Sequence, residues 1–253
     1  DILVNIDLNQ VFHLHNTAEP KITVVYKKLP KELISDVNSI LEIDESDKVL
    51  GHELFQGGDK EVYNMSTDIF VVDTPFLIEK LEEEAAKEEP RKLRYVLRDL
   101  AVAENAFAYE YTGYLSNIHS VKAYFDANLD MLESQKFYKL FAPNQKVYTK
   151  VKNEEPTYYA TSSDVKVSQF ASGSIVRGKV EHSVVSRNVD VAEGSSVSHS
   201  VLFPRVKVGK GATVEYAIVD KGVEIAEGVT IRGTENNPVV IRKGSVVTED
   251  IVR

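Results

Sequence analysis

The chain has 253 residues, 43% hydrophobic and 27% charged, which is a globular composition with ample material for a core. A net charge of −9 argues against a nucleic-acid or anionic-membrane surface, since both need clustered Lys and Arg. The lack of cysteine excludes disulfides and thiolate metal sites and fits a reducing cytoplasm; no apolar run approaches the roughly 18 residues of a membrane span.

The chain opens on DILVNID, a strand-like apolar segment with no initiator Met. Termini usually lie on the surface, so a further N-terminal portion is expected. Strand patterns at Ile2 to Asp7 and Ile22 to Tyr26 enclose a helix-like stretch from Leu8 to His15. Short strands follow at Ser39–Ile43, Lys48–Phe55 and Val62–Val72. Asp73 and Pro75 are helix-start residues for the segment DTPFLIEKLEEEAAKEE, whose Phe76, Ile78 and Leu81 can face a core. A helix from Arg91 to Ala103 and a strand from Ala106 to Tyr111 complete the series. Alternating strands and helices predict an α/β layer structure.

GYLSNIHSVKAYFDANLDML, from Gly113 to Leu132, reads as a strand end, a polar turn and an amphipathic helix. After Pro156 the helix signals vanish and a repeat of 17 residues takes over. Its columns are Val184, Val201 and Ile218; Val189, Val206 and Val223; Val191, Val208 and Ile225; Gly194, Gly211 and Gly228; and Val197, Val214 and Ile231. The spacing suits three short strands per turn, each with one aliphatic side chain inward, and the glycine column supplies a corner with positive φ. It predicts an all-β, left-handed parallel β-helix of hexapeptide type with about five coils. TENNPVV, from Thr234 to Val240, interrupts the pattern as a loop. The predicted organisation is residues 1–140 α/β, 141–160 linker and 161–253 β-helix.

An α/β region closing on that motif and followed by a β-helix resembles the sugar-1-phosphate nucleotidyltransferases, among them the bacterial ADP-glucose pyrophosphorylase (glucose-1-phosphate adenylyltransferase) family. The family's G-Y-W-x-D-V-G-T-x-x-x-Y-W-x-A-N is matched here by Gly113, Tyr114, Tyr124, Ala127 and Asn128, with Phe125 a conservative change. The resemblance implies a Rossmann-like nucleotidyltransferase domain represented from its middle onward, without the family's Gly-rich phosphate loop.

Three departures bear on activity. The motif aspartate that helps hold Mg²⁺ in the family is Asn117 here, a neutral and weaker oxygen ligand. In the family's F-x-E-K-P, Glu53 is kept, but Leu54 stands where a lysine neutralises the sugar phosphate. S-M-G-I-Y-I-F has become NMSTDIF, with Asn64 and Ser66 in place of serine and glycine. Glu53, Asn64, Ser66 and Asn117 are thus read as remnants of a substrate pocket. The changes resemble those of the family's D-type regulatory subunits. That likeness implies a cytoplasmic heterotetramer with the catalytic subunit, or self-association, with Mg²⁺ held by the catalytic partner and no cofactor bound by this chain.

Other residues carry two readings. Asp1 and Asp7 are either strand-end acids or part of a metal site. Arg187, Arg205 and Lys207, with Lys210 and Lys221, are surface charges or an anionic effector site. His182 and His199, one repeat apart with Tyr216 next, form a side-chain ladder or hold the general base of a hexapeptide acyltransferase. Three functions are therefore weighed: a non-catalytic regulatory subunit, an active nucleotidyltransferase using substitute residues, and an acyltransferase.

Overall fold

The structure is a computed structural model describing residues 1–141 and 145–253. The chain forms two compact units, Asp1–Asn117 and Ile118–Arg253. The first unit runs β1 (Ile2–Val4), α1 (Leu8–Ala18), β2 (Ile22–Pro30), β3 (Ser39–Ile43), β4 (Val49–Leu54), β5 (Val62–Val72), α2 (Thr74–Ala85), α3 (Leu93–Ala103), β6 (Phe107–Glu110) and β7 (Leu115–Asn117). The two helix starts differ in chemistry. Asp7 caps α1 by accepting the Asn9 N–H at 3.0 Å. Asp73 precedes α2 without making a capping bond; its carboxylate lies 3.3 Å from Nε2 of buried His15, whose Nδ1 meets the Thr23 hydroxyl at 2.8 Å.

Five strands form one sheet in the order β4-β3-β5-β2-β6. Ile22 to Tyr26 of β2 are all buried, as a strand covered on both faces requires. One face carries Val25, Leu29, Phe55 and Met65 and packs on Val11 of α1. The other carries Ile22, Val24, Leu41 and Val49 and packs on Ala101 of α3. β1 and β7 form a separate antiparallel ribbon in which Ile2 faces Asn117.

In the second unit, α4 (Val121–Leu129) and α5 (Ser134–Leu140) precede a parallel β-helix that runs from Tyr158 to Val252. Its strands stack into two six-stranded sheets and one five-stranded sheet, giving about six turns. The additional turn begins at Tyr158–Tyr159, ahead of the expected start at 161. Its rung pairs Val165 with Val180 and Phe170 with Val185, a step of 15 residues rather than 17, so it lies outside the repeat columns. The expected linker begins with residues that include 142–144, which lie outside the described residues.

The inward columns are Val176–Val191–Val208–Ile225–Val247, Val180–Val197–Val214–Ile231 and Val185–Leu202–Val219–Ile241. Glycine corners at 194, 211 and 228 have φ of 73°, 67° and 73°, as the repeat requires. One repeat column behaves differently. Val201 and Ile218 stand on the outside of their sheet and are buried there under Phe125 of α4. That packing places residues 118–140 in the compact unit of the β-helix rather than with residues 1–117. Among the described residues, no helix is long and apolar enough to cross a membrane.

Two predictions follow from burial. Val208 is 2% exposed at the centre of its column, and an unpartnered carboxylate there costs several kcal/mol. Val208→Asp is expected to abolish the cooperative thermal unfolding of the β-helix, read by circular dichroism. His52 of β4 faces α3, and neither ring nitrogen finds a hydrogen-bond partner among the described residues. Burial, with the Arg98 guanidinium adding to it, pushes its pKa down to about 4 from 6.5. The unfolded chain therefore takes up a proton near pH 6.5 that the folded chain refuses until about pH 4. Stability is lost as pH falls through that window, by about 2 kcal/mol once partial exposure is allowed for. His52→Phe keeps a flat ring stacked toward Phe70, so urea midpoints should fall less between pH 7 and pH 4.5 than in the wild type.

Candidate functional site

Asn117 ends β7 and is buried. Its Nδ2 donates to the Leu33 carbonyl at 2.7 Å and to Asn38 Oδ1 at 2.8 Å. Asn38 Oδ1 also accepts from the Ser35 N–H at 3.0 Å and the Ser35 hydroxyl at 2.9 Å. The Asn38 carbonyl accepts the Phe55 N–H at 2.9 Å. Asn117, expected from the sequence at a metal-carboxylate position, thus uses its amide as a donor to the segment between β2 and β3.

The other pocket positions do not converge on one face. Glu53 pairs with Ile40, and Ile40 with Met65, so these three share a sheet face. Asn64 and Ser66 flank Met65 in β5 and therefore point to the opposite face. Leu54, paired with Ser39, lies on that opposite face and is 48% exposed. Asn64 Nδ2 donates to the Leu41 carbonyl at 3.4 Å, and the Ser66 hydroxyl accepts the Asp68 N–H at 3.3 Å. Both polar groups serve the sheet's own backbone.

The residues present do not fit a divalent cation. Such an ion needs anionic oxygens aimed at one point. Asn117 aims donors at two acceptors, and Asp7 Oδ1 is taken up by the α1 cap. Asp1 extends β1 past its Ile2–Asn117 pair at the same strand end. Among the described residues no group of three His, Cys, Asp or Glu could hold a metal.

In the second unit, Arg187 lies 3.5 Å from Glu154 and Lys207 2.7 Å from Glu224. Arg205 occupies a left-handed corner with φ of 63°. The rings of His182, His199 and Tyr216 stack with centroids 5.1 and 4.8 Å apart and planes 12° and 17° off parallel. Their backbones share the left-handed conformation, with φ of 44°, 43° and 47°. Tyr216 packs against the Phe125 cluster, so this ladder is built into the unit's packing.

Several polar positions are silent in the sequence. Lys27, paired with Met65 and so on the Glu53 face, donates to the Gly113 carbonyl at 2.7 Å. Arg98, buried on α3, holds Asp68 at 2.8 Å. Asn38 carries no motif at all; only its fit to Asn117 reveals it. A cleft of about 620 Å³ lies between the start of α4 and the outer face of the β-helix, lined by Val121, Tyr124, Phe203, Ile218, Asp220 and Val240 among others.

Residues 150–252 match the family described as GlmU-like, C-terminal hexapeptide. The chain is 35% identical over 197 residues to the glycogen biosynthesis protein GlgD of Bacillus subtilis, covering 78% of this chain and 55% of that protein. It is 54% identical over 127 residues to GlgD of Geobacillus stearothermophilus, covering 50% and 37%. To the glucose-1-phosphate adenylyltransferase of Thermosipho africanus it is 25% identical over 207 residues, covering 78% and 48%. The chain spans about half the length of the curated relatives it matches. The chain is thus similar to the GlgD proteins and to the glucose-1-phosphate adenylyltransferases, and its β-helix coincides with the match to the GlmU-like hexapeptide family.

Proposed function

We propose that this protein is a regulatory, largely non-catalytic subunit in glycogen biosynthesis. It binds a catalytic glucose-1-phosphate adenylyltransferase in the cytoplasm and modulates the synthesis of ADP-glucose from ATP and glucose-1-phosphate. The observation that carries this reading is the direction of the Asn117 amide, which donates where a metal ligand must accept. Leu54 adds to it, offering neither charge nor donor to a phosphate. Mg²⁺ and the nucleotidyl-transfer step belong to the catalytic partner in this reading.

A partner surface is supported by exposed apolar residues at one end of the first unit's sheet. Leu33, Val37, Leu54 and Val62 are between 48% and 69% exposed. They lie together because β2 ends where β3 begins, next to the end of β4 and the start of β5. A stable complex buries more than about 1,200 Å² in total, so this patch would form only its centre.

The test uses the full-length protein and the catalytic homologue from the same organism. The full-length subunit alone should release pyrophosphate far below the median enzyme rate of about 10 per second. Co-expressed, the two should elute as one complex whose substrate affinity or turnover differs from that of the catalytic chain alone. Val37→Glu, at a largely exposed position, should weaken the complex by about tenfold or more while leaving the fold intact. Turnover by the subunit alone near the median rate would refute the reading. Separate elution with unchanged kinetics would favour the substitute-residue enzyme or a self-associating protein.

A further inference from the structure

We propose that position 117 is a hydrogen-bond donor site that clasps the β2–β3 segment to β7, and that a carboxylate there opens the clasp instead of creating a cation site. The chemistry is directional. Asn117 Nδ2 meets two oxygens that can only accept, the Leu33 carbonyl at 2.7 Å and Asn38 Oδ1 at 2.8 Å. Asn38 Oδ1 gathers three donors in all, counting the Ser35 N–H and hydroxyl. An ionised aspartate at 117 would press an anionic oxygen against two acceptors in a buried position, taking from the Leu33 carbonyl its side-chain donor and from Asn38 Oδ1 one of its three.

Asn38 answers the same substitution in the opposite way. Its oxygen is the acceptor of the clasp, so an aspartate at 38 still receives all three donors. The only donor it loses is the long Asn38 Nδ2 contact to Asn117 Oδ1 at 3.4 Å. Two asparagines that touch each other are thus predicted to tolerate Asn→Asp very differently. Either part of this inference stands without the regulatory reading, because it concerns the stability of the free chain.

The experiment compares Asn117→Asp and Asn38→Asp with the wild type by thermal unfolding at pH 7.5 and pH 5, with and without Mg²⁺. Asn117→Asp should lower Tm by several degrees at pH 7.5, and Asn38→Asp by much less. Burial beside two acceptors raises the folded-state pKa of an aspartate at 117. The stability its protonated form supplies is present at low pH and lost as pH rises. Its Tm deficit should therefore shrink at pH 5, a signature that a loss of packing does not give. Amide exchange at Ser35 and Phe55 should accelerate about tenfold in Asn117→Asp at pH 7.5. If that variant does not fold at pH 7.5, Asn117→Ser, which keeps one donor, should be more stable than Asn117→Ala. Equal losses for the two aspartate variants would overturn the proposal, as would equal stability of Asn117→Ser and Asn117→Ala. So would a Mg²⁺-dependent rise in Tm confined to Asn117→Asp.

Discussion

Rung-to-rung pairing of the backbone is the constraint on which the second unit depends. A strand of two or three residues has too few hydrogen bonds to persist alone; it persists because parallel neighbours pair it on both sides. Pairing also fixes direction. Because Val191 pairs with Val208 and Val208 with Ile225, the three side chains must stack on one side of their sheet. A slip of one residue in any rung would turn its aliphatic side chain outward and bring Asp190 or Lys207 inward. The glycines at 194, 211 and 228 release the chain into the next strand at corners that a side chain would strain.

The same pairing builds a second, outer layer of packing. Residues beside an inward column face away from the core, and on two sheets most of them are polar, among them Asp190, Lys207 and Glu224 on one and Ser196, Thr213 and Thr230 on the other. On the five-stranded sheet they include Val201 and Ile218, which are buried only because Phe125 lies on them. The Ser120 hydroxyl fixes the start of α4 by accepting the Ala123 N–H at 3.0 Å, which brings Phe125 one turn later. The His182–His199–Tyr216 stack obeys the same rule at a corner. Residues at equivalent left-handed positions are held one rung apart, so flat rings there must stack.

In the first unit each face of the sheet carries a buried apolar layer, and several polar groups serve that frame. Asn64 and Ser66 bond to the sheet's own backbone, Arg98 holds Asp68, and Asn117 ties the β2–β3 segment to β7. Each uses hydrogen-bonding capacity that a substrate or metal ion would otherwise require. These side-chain bonds are what the proposed regulatory role rests on.

The periodic features were legible in the sequence because they are local. A 17-residue repeat with aliphatic and glycine columns leaves a β-helix as its consequence, since the same backbone rule acts on every coil. The first turn escaped because Val165 and Phe170 pair with the next rung at a step of 15 residues and Tyr159 puts an aromatic ring in a column that is otherwise aliphatic, so only pairing to the next rung reveals it. The outward set of Val201 and Ile218 was equally hidden, because an aliphatic column looks the same whether it meets the core or a helix. At the candidate site the sequence pointed to Asn117 and Leu54 by what the motifs lack and to Glu53 by what they keep. It could not show that Glu53 lies on the sheet face opposite Asn64 and Ser66. That is decided by pairing across three strands. Nor could it show that Asn117 donates to Asn38, a residue 79 positions away. Side-chain periodicity is written along the chain, whereas the direction of a hydrogen bond depends on which acceptor the fold brings within 3 Å.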